Sequence, residues 1–163
     1  MRTAICPGSF DPITLGHLNV IRRASSLFDK VVVCVMFNST KKTPMFTVEE
    51  KVNMVRKAVE RYPNVEVESY SGLLAEYAKR FEGAVLIKGL RAASDFDYEF
   101  QMDMINKKIN PDLETIFLTA DQKYTFLSST IVREMARYGA DLKGLVPDEL
   151  IEFIEEKAKL QRG

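Results

Sequence analysis

The sequence predicts an α/β fold: a five-stranded parallel sheet with helices on both faces and further helices at the C-terminal end. Short apolar segments recur five times, and each is followed by a segment with the spacing of an amphipathic helix. Residues 31–37 form an apolar run without alternation, which is typical of a parallel strand covered on both faces. Strands that alternate with helices imply right-handed crossovers within one sheet.

Strands are expected at 3–6, 31–37, 65–68, 84–88 and 115–119. The first helix follows residue 14, and a capping box at Thr47 and Glu50 opens the second. A third helix carries apolar positions between residues 73 and 81. In the long fourth helix we expect Phe100, Met104 and Ile105 to face inward. A fifth helix starts at 128–130 with Ile131, Val132 and Met135 facing inward, and a sixth starts at Pro147.

Length and composition favour one domain over residues 1–163 of a cytoplasmic protein. Apolar residues make up 46% and charged residues 28%, as in ordinary globular proteins. Basic and acidic residues number 23 each, so a nucleic-acid or anionic-membrane partner is not expected. Cys6 and Cys34 lie in apolar strands, which favours buried thiols over a disulfide. No metal ligand is assigned.

Residues 6–17 have the pattern of a phosphate site. They form a Pro- and Gly-containing loop between a strand and a helix whose first turn carries the only histidine, His17. A helix N-terminus presents unpaired N–H groups that attract anions, and Gly8 allows the backbone to approach a ligand. Ser9 adds a hydroxyl. The alternative is a tight turn, a capped helix and a half-buried histidine without a ligand.

The other candidate residues lie in loops that share the rim at the carboxyl ends of the strands, where parallel sheets bind ligands. Lys88 and Arg91 flank Gly89, either as anion contacts or as a strand cap paired with Asp95 or Asp97. Residues 128–130 could hold a phosphate group or simply cap a helix. The lysines at 41 and 42 are either phosphate contacts or a solvated pair.

Two motifs resemble the signatures of the nucleotidyltransferase superfamily. T-L-G-H at 14–17 resembles its T/H-x-G-H motif, and S-S-T-I-V-R at 128–133 resembles the segment that holds the triphosphate. Together with P-G-S-F-D-P-I-T at 7–14, K-G-L-R at 88–91 and D-F-D-Y-E at 95–99, they make the whole chain similar to the bacterial phosphopantetheine adenylyltransferase family. The resemblance implies a Rossmann-like sheet.

The resemblance also implies a reaction: ATP and 4′-phosphopantetheine give dephospho-coenzyme A and pyrophosphate with Mg²⁺, by in-line attack without a covalent intermediate. A cytoplasmic homohexamer is implied, with coenzyme A as a possible feedback ligand. Two alternatives stay open. The chain could be a nucleotidylyltransferase of the nicotinamide-nucleotide or cytidylyl type, or a nucleotide-binding module without turnover.

By position in the family motifs, the resemblance assigns roles to individual residues. The catalytic residues would be His17, Lys41, Arg91 and Ser129. Lys42 is the alternative to Lys41, because the loop is one residue longer than in some relatives. The phosphopantetheine contacts would be Ser9, Lys41, Leu73, Leu74 and Lys88, where many members carry arginine at position 88. The ATP contacts would be Ser9, Phe10, His17, Gly89, Leu90, Arg91, Glu99, Tyr124, Thr125, Phe126, Leu127, Ser128, Ser129 and Thr130.

Overall fold

The structure is a computed structural model that describes residues 1–37 and 43–162. Five strands form one parallel sheet in the order β3-β2-β1-β4-β5. The predicted α/β class and the five-stranded parallel sheet are therefore confirmed. The strands are β1 (Thr3–Gly8), β2 (Lys30–Met36), β3 (Val65–Tyr70), β4 (Val85–Leu90) and β5 (Glu114–Thr119).

Six α-helices alternate with these strands or follow them. Thr47 and Glu50 form the predicted capping box of the second helix, and Ser128 caps the fifth. The third helix is shorter than predicted, and residues 122–124 form a 3₁₀ turn. The helices are α1 (Leu15–Leu27), α2 (Val48–Val59), α3 (Leu74–Ala78), α4 (Ala93–Ile109), α5 (Ser129–Arg137) and α6 (Asp148–Arg162).

The interior strand β2 is covered on both faces, as the unalternated run at 31–37 predicted. Val31 and Val33 of β2 belong to an apolar cluster that includes residues of α1, α2, α5 and α6. Val32 and Cys34 point to the other face, where they join a smaller cluster with α3. Alternate side chains of a strand point to opposite faces, so a run of valines can fill two cores at once.

The predicted inner faces of α4 and α5 are partly wrong. Phe100, Met104 and Ile105 are 50%, 59% and 52% exposed, and Ile131 of α5 is 37% exposed. Val132 is fully buried as predicted. The periodicity identified an apolar stripe on α4, but its side chains are half or more exposed and do not join the apolar core. Ile105 of this stripe lines the main cavity of the protein, described below.

The two cysteines are buried free thiols. Burial raises the pKa of Cys6 to about 12 and that of Cys34 to about 11, so neither is a reactive thiolate at neutral pH. Among the helices in the described part of the chain, none has both the length and the apolar character needed to cross a bilayer.

Candidate active site

The main cavity opens where the strand order reverses. Along the chain, β2 and β3 extend the sheet on one side of β1, whereas β4 and β5 extend it on the other. The loops at the carboxyl ends of β1 and β4 therefore face a shared crevice, the usual ligand site of open parallel sheets. A cavity of about 2340 Å³ lies there. This volume can hold two ligands of nucleotide size side by side.

Most of the predicted site residues come together in this cavity. Leu90, Thr125 and Phe126 do not line it, and Phe126 is 68% exposed. Lys41 and its alternative Lys42 lie outside the described residues. The predicted residues that line the cavity are Ser9, Phe10, His17, Leu73, Leu74, Lys88, Gly89, Arg91, Glu99, Tyr124, Leu127, Ser128, Ser129 and Thr130.

His17 takes part in the cap of α1, in the position that Glu or Gln usually occupies in a capping box. Its Nδ1 accepts the backbone N–H of Thr14 at 3.0 Å, and Thr14 Oγ1 accepts the backbone N–H of His17 at 3.3 Å. Because Nδ1 is the acceptor, the neutral ring carries its proton on Nε2. The helix cap thus fixes the tautomer, and Nε2–H is left to donate to a ligand.

Burial, reinforced by the charge of Arg91, lowers the pKa of His17 to about 4. The imidazole is therefore neutral at pH 7, which keeps Nδ1 available as the acceptor that the cap requires. A neutral ring with one fixed donor suits a hydrogen bond to a phosphate oxygen better than it suits proton abstraction.

This pKa predicts a pH dependence of stability. The folded-state pKa lies below the value of about 6.5 in an unfolded chain. The contribution of His17 to stability is therefore fully present above about pH 6.5 and is lost as the pH falls towards 4. Urea unfolding of wild type and of His17→Gln between pH 7 and 4.5 measures it. We expect a steeper loss for wild type, and parallel curves would contradict the assignment.

The backbone at the start of α1 is less open to an anion than the sequence predicted. The N–H of Leu15 donates to the carbonyl oxygen of Leu145 at 2.9 Å, and that of His17 donates to Thr14 Oγ1. Two of the first three N–H groups of the helix are thus already bonded. An anion at this end must depend mainly on the His17 side chain and on the loop before the helix.

Phe10 connects the loop to His17. Its backbone has φ of 47°, a left-handed conformation that is uncommon for a residue with a large side chain, and the side chain is only 3% exposed. The edge of one ring faces the other, with 5.1 Å between the centroids of Phe10 and His17. A Cβ at Gly8 would lie 3.0 Å from the Phe10 ring, so any larger residue there would push against that ring. Unusual backbone conformations of this kind concentrate at ligand sites.

Arg91 is held from two sides. Its Nε and its backbone N–H both donate to Asp95 Oδ2 at 3.2 Å, and Nη1 donates to the carbonyl oxygen of Leu127 at 3.0 Å. The predicted alternative of a pair with Asp95 is therefore correct for Arg91. The ion pair with Asp95 and an anion contact are compatible, because Arg91 also lines the cavity and retains a further terminal nitrogen for an anion.

Lys88 pairs with Glu99 and not with Asp95 or Asp97. Its Nζ lies 2.6 Å from Glu99 Oε2, with the two side chains 17% and 22% exposed. A pair this little exposed is costly to break by removing one partner, because the other charge is left unpaired. Lys88 lines the cavity, and its ion pair with Glu99 of α4 fixes its position.

The start of α5, at residues 128–130, lines the same cavity. Ser128 Oγ accepts the N–H of Ile131, whereas Ser129 Oγ donates to the carbonyl oxygen of Pro12 at 2.7 Å. The Ser129 hydroxyl thus connects the second signature motif to the loop that precedes the first, and the Ser129 backbone N–H lies in the first turn of the helix. Unbonded N–H groups in a first helical turn, together with the helix dipole, favour a phosphate group.

Sequence reasoning missed several cavity residues. On α4, Met102 and Asn106 line the cavity beside the predicted Glu99, and the spacing of three and four residues was a readable signal. Asp11 and Lys51, which are 7% and 3% exposed, also line it. Neither was assigned a role from the sequence: Asp11 lies within the motif at 7–14, and Lys51 lies in the predicted second helix.

Within residues 1–37 and 43–162, no three His, Cys, Asp or Glu side chains are grouped so that they could hold a metal ion. The cavity instead brings together Lys88, Arg91, the Nε2–H of His17 and the start of α5. Positive groups and N–H donors of this kind bind an anionic ligand with several phosphate groups.

Comparisons with known proteins agree with this arrangement. Residues 5–135 match a family model described as cytidylyltransferase-like. A phosphopantetheine adenylyltransferase of Clostridium tetani is 52% identical, with 97% of this chain and 98% of the relative covered. One from Caldanaerobacter subterraneus is 49% identical, with 98% and 99% covered.

A solved structure, described as a nicotinate-nucleotide adenylyltransferase of Vibrio parahaemolyticus, has a similar fold. Its TM-score is 0.73, and the match covers 99% of this chain and 95% of that one. Because the two chains are only 19% identical, this similarity concerns the fold alone.

Proposed function

We infer the reaction from the family: this chain belongs to the phosphopantetheine adenylyltransferases, and it transfers the adenylyl group of ATP to 4′-phosphopantetheine. Dephospho-coenzyme A and pyrophosphate are the products. The observation that carries this conclusion is an identity of 48–52% to enzymes of that name over 96–99% of the chain. The cavity at the strand-order reversal, where Lys88, Arg91 and His17 meet, supports it.

In the mechanism that we propose, an oxygen of the acceptor phosphate attacks the α-phosphorus of ATP. A bond forms between them while the bond from the α-phosphorus to the oxygen bridging to the β-phosphate breaks, and pyrophosphate leaves. The acceptor is already an anion at neutral pH, so neither a general base nor a nucleophilic side chain is needed. The protein contributes positioning and neutralisation of charge.

The donors around the cavity suit that task. Nε2–H of His17 would donate to a phosphate oxygen of ATP, and Arg91 and the backbone of Ser129 would bind the triphosphate. Ser9 and Lys41 would contact both substrates. The tautomer of His17 and the orientation of Arg91 are set by protein contacts before any ligand binds. Donors fixed in advance need no reorganisation during the reaction.

The acceptor would lie with its phosphate at Lys88 and its pantetheine arm along the apolar part of the cavity. Leu73 and Leu74 line that part together with Met102 of α4, and Asn106 adds a buried amide. An elongated molecule with amide groups and an alkyl chain matches a lining of this mixed character.

Replacement of Lys88 tests the position of the acceptor. Lys88→Ala should raise the KM for 4′-phosphopantetheine by at least about tenfold, because it removes a cation and leaves Glu99 unpaired beside an anionic substrate. The KM for ATP should change much less. Lys79→Ala is the control, since its pair with Glu76 is exposed at the surface and lies in no part of the cavity. Equal rises in both KM values would contradict this placement.

Mg²⁺ would enter bound to ATP. This ion keeps several waters and usually binds substrate phosphates together with few protein carboxylates, and in the described residues no three acidic, histidine or cysteine side chains are grouped to hold a metal. It would neutralise charge on the phosphate groups while the protein residues orient them. Coenzyme A, which differs from the product by one phosphate group, is proposed as a feedback ligand of the same cavity.

We also propose that residues 1–163 form one nucleotidyltransferase domain that acts in the cytoplasm as a homohexamer. The apolar cluster that joins β1 to α6 supports a single domain. The exposed apolar stripe of α4 supports assembly, since Phe96 and Phe100 stack with 5.7 Å between centroids while 42% and 50% exposed.

Sedimentation analysis tests the assembly. We expect six times the chain mass for wild type and a smaller species for Phe100→Asp, because a carboxylate in an apolar interface is costly to bury. A Leu160→Asp variant is the control, since Leu160 is exposed at the end of α6. A wild-type monomer would contradict the hexamer.

A substrate panel tests the function itself. Pyrophosphate release is measured with Mg²⁺, ATP or CTP as donor, and 4′-phosphopantetheine or nicotinamide mononucleotide as acceptor. We expect release only with ATP and 4′-phosphopantetheine. Release with another pair would retain the phosphate chemistry and change the acceptor or donor, whereas ATP binding without release from any pair would indicate a binding module.

A further inference from the structure

We propose that Asp11 is a positioning residue for adenylyl transfer: its buried carboxylate ties the loop bearing Ser9 and Phe10 to the chain entering α2 and to α5. This inference rests on the proposed function, because its main readout is the rate of that reaction. Asp11 itself is not expected to touch the reacting atoms.

Both oxygens of the Asp11 carboxylate are used by backbone groups of a distant segment. Oδ2 accepts the N–H of Met45 and Oδ1 accepts the N–H of Phe46, each at 3.0 Å. Asp11 is 7% exposed, and Met45 and Phe46 are 4% and 1% exposed. Two charge-assisted hydrogen bonds from adjacent N–H groups fix both the distance and the orientation between the two segments.

Two cations accompany this buried carboxylate. Nη1 of Arg133 lies 3.7 Å from Oδ2 and also donates to the Asp11 carbonyl oxygen at 2.8 Å. Lys51 is 3% exposed; burial lowers the pKa of its ammonium group, and the charge of Asp11 opposes that shift. A buried carboxylate with paired hydrogen bonds and nearby cations is stable, but it tolerates the loss of its charge poorly.

The neighbours of Asp11 in the chain carry its position into the site. Phe10, the preceding residue, packs its ring edge-to-face with His17. Pro12, the following residue, accepts the hydroxyl hydrogen bond of Ser129. A shift of Asp11 would therefore displace two site residues through one backbone segment. These are His17, which contacts Phe10, and Ser129, which is bonded to Pro12.

Asp11→Asn is the decisive variant, because it preserves size while removing the charge and one of the two acceptor oxygens. We expect kcat per folded enzyme at saturating substrates to fall on the order of 10²-fold, the size of effect that misplacement by about 1 Å produces. ATP affinity measured by calorimetry should fall as well. Melting temperatures show how much of each preparation is folded.

Glu50→Gln is the matched control. Glu50 also accepts a backbone N–H, that of Thr47 at 2.8 Å, and also pairs with a cation, Lys157, at 2.8 Å. The Glu50→Gln variant therefore loses comparable interactions near the start of α2, and Glu50 has no hydrogen bond or ion pair with the loop of Asp11 among the described residues. We expect lower stability with kcat within about twofold of wild type.

The outcomes distinguish the positioning role of Asp11 from the proposed function. Asp11→Asn with kcat and ATP affinity both within about twofold of wild type would overturn the positioning role. If that variant does not fold, Asp11→Glu decides, because it retains the charge but moves the carboxylate by one methylene group: a tenfold or larger fall in kcat supports the role and an unchanged kcat overturns it. A wild-type protein without turnover contradicts the proposed function, and ATP affinity of the variants still tests the role of Asp11.

Discussion

Replacement of His17 by alanine should lower kcat by about 10²–10³-fold, the loss typical for removing one preorganised donor to a developing negative charge. The ring is neutral, since its pKa is lowered to about 4, and Nδ1 is occupied by the N–H of Thr14. Only Nε2–H remains to act on a phosphate oxygen. Steady-state kinetics with both substrates saturating measure the effect, and the KM values should change less than kcat.

The same substitution removes part of a helix cap, which costs about 0.5–2 kcal/mol of stability. Glu50→Ala is the matched control, because Glu50 occupies the equivalent position in the capping box of α2 and accepts the N–H of Thr47. Both variants should lose stability, but only His17→Ala should lose turnover. A His17→Ala enzyme with the kcat of the control would remove His17 from the mechanism.

A loss of similar size, about 10²–10³-fold in kcat, is expected for Lys41→Ala. The family resemblance places Lys41 between the two reacting phosphates, where a cation stabilises charge that increases as the new bond forms. In the sequence, Lys41 and Lys42 follow β2, and Met36 and Phe37, which precede them, line the cavity. Single-turnover rates distinguish a chemical effect from slower binding.

Lys42→Ala is the natural control for this prediction, since the two lysines are adjacent in the sequence. We expect Lys42→Ala to change kcat by less than about tenfold, mainly through the local positive potential. If the two effects were reversed, Lys42 would be the catalytic lysine. Equal, small effects would contradict the assignment of either one.

The interior strand β2 of the sheet could be predicted from the sequence because its residues are apolar without alternation. Residues 31–35 are all apolar and all fully buried, since a parallel strand between two layers of helices has no face in water. The caps at Thr47 and Ser128 were equally readable, because a hydroxyl before a helix has few other common functions.

The predicted inner face of α4 was wrong because that helix does not pack mainly against the apolar core. Its apolar side chains at Phe100 and Met104 are exposed, whereas Glu99 and Asn106 line the cavity. Periodicity shows which residues share a face, but only the tertiary structure shows whether that face meets the core, a ligand cavity or solvent.

The residues proposed to contact phosphates could be chosen from motifs, but the residues that hold them in place could not. Asp95 holds Arg91, which donates to the distant carbonyl oxygen of Leu127. Asp11 accepts the distant backbone N–H groups of Met45 and Phe46 directly. Such contacts span 34 to 36 residues. No local pattern of residue types predicts them, because they depend on how the loops meet at the edge of the sheet.

The stereochemical course of the reaction tests the central claim most directly, namely that positioned donors promote direct transfer between the two substrates. A single isomer of adenosine 5′-O-(1-thiotriphosphate) is used as donor with 4′-phosphopantetheine, and the configuration at phosphorus of the product is determined. One in-line displacement predicts inversion. Retention would indicate a second displacement through a covalent adenylyl-enzyme, and it would contradict a mechanism without a nucleophilic side chain.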